Sequence, residues 1–332
     1  MRQSQILRWA LFACALGLVT AIIWHLGPGQ ILDNLSRIGG KIAFVFLLGF
    51  PRFALNTLGW MLFLPKGLVP PSRLYRVKIA GELLTRVTPL HFFGGDTARV
   101  FLMGKAAGRE TLTASVMMDR TAITLGGAFF VLSGIILGSF LLPISTAVKL
   151  LLAGLMLLIF ASLAFLITQQ KKGMLASGVR LLKITGLAQF ISGERLKKIE
   201  EKIKPIDETL RSHYDDGHGK LFAATFLNYA SRFIASGEIY LLFLFLDIPL
   251  GYLHAVMFSS ISLILTSSMF ILPGSLGVAE GTYGLLFHLL KLNPAVGVSL
   301  ELSRKINGLL WYAFGGLLAL SFKKRPTQND IT

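Results

Sequence analysis

Apolar stretches near the ~20 residues that carry a helix across a bilayer recur along the chain, separated by short polar or basic segments. In order, they predict spans over Ile6–Leu26, Ile42–Leu64, Leu112–Leu142, Ile144–Thr168, Leu221–Leu246 and Pro294–Phe322. Gly27–Lys41 and Asp247–Leu253 read as short outside loops. Two stretches break the pattern. Ile79–Gly104 holds Glu82, Pro89, Gly94, Gly95, Asp96 and Arg99, and Ala255–Leu290 holds Pro273, Gly274, Gly277 and Glu280. Proline lacks the N–H that a helical ladder needs, and glycine loosens it. Backbone of this kind is tolerated at membrane depth only where protein or water covers it. Both stretches are therefore expected to be re-entrant broken-helix hairpins. The fold class expected is an all-α polytopic membrane protein of about six full spans plus two such hairpins.

Charge sets the sidedness. The chain has 332 residues, 53% hydrophobic and only 15% charged, too apolar for a soluble domain of this length. Arg2 and Arg8, the Lys66–Lys78 segment and Lys323-Lys324-Arg325 place both termini in the cytoplasm under the positive-inside rule. The net charge of +16 follows the same rule and suits anionic headgroups, so no nucleic-acid partner is expected. The polar segment 169–219 is basic, and within it Leu196, Ile199, Ile203, Ile206 and Leu210 step by 3, 4, 3 and 4, an amphipathic helix. Cys14, the only cysteine, lies in the first apolar run, which excludes a disulfide framework and a cysteine-based metal site. No cofactor is expected. His213 and His218 with Asp215 and Asp216 read as a solvated loop rather than a metal site.

The two odd stretches match each other. Pro89 precedes Asp96 by 7 and Arg120 by 31; Pro273 precedes Glu280 by 7 and Arg304 by 31. One offset of 184 relates all three positions (273 − 89, 280 − 96, 304 − 120). A mid-span arginine also precedes each: Arg52 the first, Arg232 the second. The pattern predicts one transmembrane domain over 1–322 containing an inverted repeat, about 42–142 and about 221–322, with 323–332 as a cytoplasmic tail. Such repeats hold substrate at their interface near the midplane.

Gly81-Glu82, Thr88-Pro89, Gly94-Gly95-Asp96 with Arg99, Asp119-Arg120, and Pro273-Gly274-Ser275-Leu276-Gly277 with Glu280 and Arg304 resemble the lysylphosphatidylglycerol synthase transmembrane-region family, the flippase-like domain of the bacterial multiple peptide resistance factors. The resemblance runs over most of the chain. It implies a bacterial inner-membrane protein concerned with moving lipid between leaflets. The fused aminoacyl-transferase domain is not expected here, which argues against a lysyl-transferring enzyme.

The function expected is a flippase-type transporter of an anionic lipid or a polyisoprenyl-phosphate-linked substrate. Arg120, Arg304, Arg52, Arg232 and Arg99 are the candidate headgroup ligands, because guanidinium matches phosphate as a rigid fork and stays charged. Glu82, Asp96, Asp119, Glu280 and Glu301 are candidates for pairing with those arginines or for gating. Pro89, Gly94, Gly95, Pro273, Gly274 and Gly277 mark the hairpin breaks. His91 reads as an ordinary hydrogen-bonded histidine rather than part of a proton relay. Two other classes fit the same composition. One is an intramembrane enzyme on a lipid-linked substrate, with Glu82, Asp96 or Glu280 as acid or base. The other is a scaffold for a partner synthase or glycosyltransferase.

Overall fold

A computed structural model of the chain describes residues 20, 22–87, 94–104, 108–173, 176–177, 179, 183–185, 193–215, 218–268 and 277–322. Every regular element among them is helical. The helices are α1 (Pro28–Ile38), a 3-10 turn (Gly39–Lys41), α2 (Ile42–Leu47), α3 (Gly49–Met61), α4 (Pro71–Val87), α5 (Gly94–Met103), α6 (Arg109–Leu141), α7 (Thr146–Lys172), α8 (Gly193–Asp215), α9 (His218–Phe245), α10 (Tyr252–Ser268), α11 (Val278–Leu289) and α12 (Pro294–Phe322). Most of the predicted first span, together with Pro89, His91, Pro273 and Gly274, lies outside the described residues.

Three helical runs are both long and apolar enough to cross a membrane among the described residues: Pro28–Met61, Arg109–Leu141 and Thr146–Gln169. α9 and α12, of 28 and 29 residues, are also long enough at ~1.5 Å per residue. Arg232 and Glu238 on α9, and Glu301, Arg304 and Lys305 on α12, dilute their hydropathy. α7 turns Leu150, Leu151, Leu157, Leu158 and Phe165 outward. A face that apolar is a liability in water and a requirement in lipid. The protein is an all-α membrane protein.

Gly27–Lys41 is not a loop. Pro28 opens α1 at a first-turn position, where its missing N–H costs nothing and its fixed φ suits the helix. Ile31, Asn34 and Ile38 then fall on one buried face. The spacing was present in the sequence, but the flanking Gly27, Gly39 and Gly40 read as loop. Pro51 sits in the first turn of α3, and the helix breaks just before that turn, at Leu48. Each odd stretch contributes two helices that pack on each other, α4 on α5 and α10 on α11. The amphipathic helix expected in 169–219 is α8, where Leu210 is buried and Asp207 accepts the Ala176 N–H at 2.9 Å.

The chain forms two compact units. One comprises residues 1–52, 127–153 and 231–313; its core gathers Val45, Ile239, Leu242, Phe243, Phe258, Tyr283 and Phe287. The other comprises 53–126, 154–230 and 314–332; its core gathers Trp60, Leu74, Val77, Met103, Leu112 and Val116. Each unit draws on both 42–142 and 221–322.

In the second unit α6 meets α9 backbone to backbone at Gly126. A Cβ there would lie 2.8 Å from the Tyr229 nitrogen and 2.9 Å from the Thr225 oxygen. Gly126→Ala is therefore expected to destabilise by about 1–3 kcal/mol. Gly154→Ala in α7, with nothing within 4 Å of the new methyl, should be neutral or stabilising, since alanine is the better helix former by about 1 kcal/mol. Thermal unfolding in detergent checks the pair; a melting point unchanged by Gly126→Ala contradicts the close approach.

Candidate functional site

In the second unit, three helices deliver charges to one place. α4 brings Lys78 and Glu82, one turn apart; α5 brings Asp96 and Arg99, also one turn apart; α6 brings Asp119 and Arg120. Lys78 Nζ and Arg99 Nη1 both donate to Asp119 Oδ2, the second at 2.8 Å. All three side chains are enclosed: Arg99 is 1% exposed and Asp119 not at all. Charges with so little water must be paired, because isolated burial costs several kcal/mol per ion. Trp60 lies under both cations, 5.6 Å from Lys78 and 5.5 Å from Arg99, and adds cation–π attraction. Gly81 makes room for Arg99; a Cβ there would stand 2.6 Å from the Arg99 Cγ.

Arg120 faces the other way and is partly open. Its Nε and Nη2 donate to Asp96 Oδ2 and Oδ1 at 2.8 and 2.9 Å, a bidentate fork. Arg120 is 31% exposed. Asp96 sits in the first turn of α5, where the helix dipole favours a negative charge. Glu82 adds to the field on both Arg120 and Lys78. Gly94 and Gly95 open α5 immediately before Asp96.

The first unit holds the second set. Gly277 takes φ +83°, a left-handed conformation that suits glycine, and starts α11. Its N–H donates to Glu280 Oε2 at 2.8 Å, while Lys305 Nζ donates to Glu280 Oε1. The fully buried Glu280 thus caps a helix and binds a lysine. Arg304 Nη1 donates to Glu301 Oε2 at 2.7 Å, to the Tyr283 hydroxyl at 2.7 Å and to Ser262 Oγ at 3.3 Å. Among the described residues all its hydrogen bonds leave from Nη1, and its side chain is 25% exposed. Arg52 Nε lies 3.7 Å from Glu238 Oε1, and Asn307 Nδ2 donates to Glu238 Oε2 at 3.2 Å. Arg232 stands on α9, with its Nη2 3.8 Å from where a Cβ on Gly127 would be.

Reading by residue, Asp96 meets Arg120, Asp119 meets Arg99, and Glu301 meets Arg304. Glu280 meets Lys305, one residue beyond the arginine that the repeat singles out. Lys78, Lys305, Glu238, Asn307 and Tyr283 were not expected in the site. The basic flank that marks Lys78 as cytoplasmic masked it. For Lys305, adjacency to Arg304 was the available signal.

The ion pairs should rank by enclosure. Asp119→Asn leaves two buried cations without their carboxylate and is expected to cost about 3–5 kcal/mol. Glu280→Gln should cost less, since Lys305 is 24% exposed and can hydrate. Arg37→Gln breaks the exposed pair with Asp247 (2.6 Å) and should cost about 0–1 kcal/mol. Thermal melting of the three variants in one detergent checks the order; equal losses contradict it.

The sequence model described as Lysylphosphatidylglycerol synthase TM region matches residues 5–315. No curated protein and no solved structure matches the chain. The matched region includes both hairpins and every charged residue of the two clusters. The chain belongs to the lysylphosphatidylglycerol synthase transmembrane-region family.

Proposed function

We propose that the protein is an inner-membrane lipid transporter, not an enzyme, with both termini cytoplasmic. It moves an anionic, phosphate-bearing lipid or lipid-linked headgroup between leaflets. Membership of the family supports a lipid-related role in the membrane. One observation favours an anionic headgroup. Arg120 spends its Nε/Nη2 fork on Asp96, whereas Arg304 makes no hydrogen bond from that fork to a described residue. A guanidinium held from one nitrogen by Glu301, Tyr283 and Ser262, with no described hydrogen-bond partner on its bidentate edge and a quarter of its side chain exposed, suits phosphate. Arg120 serves in the same way when a phosphate displaces Asp96. Arg99, enclosed with Asp119, holds the helices in place instead. Arg52 and Arg232 remain the further candidates on α3 and α9.

Vesicles containing the purified protein and a fluorescent phosphatidylglycerol test the reading. Wild type should accelerate translocation. Arg304→Ala should lower the rate about 10- to 100-fold, as loss of a charged hydrogen bond worth ~1.5–3 kcal/mol predicts. Arg304→Lys should recover only part, because an ammonium offers a point charge without the fork. Wild-type rates equal to those of empty vesicles would sink the proposal, and appearance of a new lipid product would move it to the enzyme class.

A further inference from the structure

In the first unit an open groove of about 440 Å³ is lined by Phe44, Leu47, Leu48, Leu241 and Phe245. α2 turns Val45 into the core and leaves Phe44 and Leu47 outward, 60% and 55% exposed. The Phe44 and Phe245 rings pair at 6.5 Å and form one end of the groove. At that end Lys41 Nζ stands 5.6 Å over the Phe245 ring. Lys41 itself is exposed.

Two chain segments mark the same boundary. Gly39-Gly40-Lys41 is polar, and the apolar α2 begins at the next residue. α9 ends at Phe245, and Asp247 follows two residues later in a turn at φ +52°. Lysine at the end of an apolar helix lies at headgroup level, and the apolar residues beyond it lie at tail level. Asp247, the nearby acid, is already bound by Arg37 at 2.6 Å. The cation at the rim therefore faces no uncompensated carboxylate from that turn.

We infer that this groove is a binding site for a resident anionic glycerophospholipid. One acyl chain lies along Phe44, Leu47, Leu48, Leu241 and Phe245, and the phosphate-bearing headgroup sits on Lys41. The cation and the groove share Phe245, so one amphiphile engages both. A bilayer phospholipid supplies both the tail for the groove and the negative charge for Lys41. The groove shares no lining residue with the Arg304 cluster and its occupancy does not depend on transport.

The full-length protein in nanodiscs of equal phosphatidylglycerol and phosphatidylcholine tests the site. Benzoylphenylalanine in place of Phe44 should photo-crosslink phosphatidylglycerol, identified by the adduct mass. Adding Lys41→Gln should lower that adduct about fivefold relative to phosphatidylcholine, the effect of one lysine near an anionic surface. Lys41→Arg should preserve it. Leu241→Trp, which fills the groove, should lower adducts of both lipids. Equal capture of the two lipids by the wild-type background, indifference to Lys41→Gln, or crosslinking mainly to a second copy of the chain would each overturn the inference. Because capture is read without translocation, a failed transport assay leaves this result standing, and the reverse also holds.

Discussion

Asp119 is the constraint on which the second unit depends. It is a carboxylate without solvent contact, and it holds two cations from two other helices. Three charges in a low-dielectric interior tolerate little displacement, because each is stable only beside the others. Helices α4, α5 and α6 are therefore tied at that point, and Trp60 on α3 is drawn in under the cations. Arg120 is the next residue on α6, so the tie at Asp119 also fixes the direction in which Arg120 projects. A buried pair of this kind is weak evidence for stability gained, but it is strong evidence for a single arrangement of the hairpin.

In the first unit the fastening is different. Glu280 is the only carboxylate in its pair, and half of its capacity goes to the backbone N–H of Gly277. The Lys305 side chain that completes it is 24% exposed. Glu280 thus joins the start of α11 to α12 through one partly exposed contact rather than two enclosed ones. Arg304, beside Lys305, is held by Glu301 on its own helix and by hydroxyls on α10 and α11. Neutral hydroxyls orient a guanidinium without cancelling its charge.

Much of this was legible in the residues. Apolar length gave the membrane class, and the two odd stretches correspond to two packed helix pairs, α4 with α5 and α10 with α11. The acid–arginine spacing of 24 located Asp96 with Arg120, because on packed helices that separation brings the first turn of α5 level with α6. The same spacing did not identify the partner of Glu280, since Arg304 and Lys305 are neighbours pointing about 100° apart on a helix and only packing decides which one reaches the acid. Glu238 was missed for a related reason: it shares α9 with Arg232, yet it meets Arg52 and Asn307 from other helices. Helix α1 was missed because its glycine flanks outweigh its Ile31 and Ile38 spacing in a reading by composition.

The offset of 184 carries further than the positions that revealed it. Lys78 corresponds to Ser262 (262 − 78 = 184), and Arg99 to Tyr283 (283 − 99 = 184). In the first repeat this pair of hairpin residues closes on Asp119. In the second, the corresponding pair closes on Arg304. The scaffold is retained while the chemistry is exchanged: two cations around an acid in one, two hydroxyls around a guanidinium in the other. Asp96 occupies the bidentate edge of Arg120, and its counterpart Glu280 turns instead to Gly277 and Lys305. That one redirection leaves the fork of Arg304 without a carboxylate among the described residues. The matched positions thus hold two arginines in different states, one with its fork on Asp96 and one bound among the described residues through Nη1 alone, by Glu301, Tyr283 and Ser262.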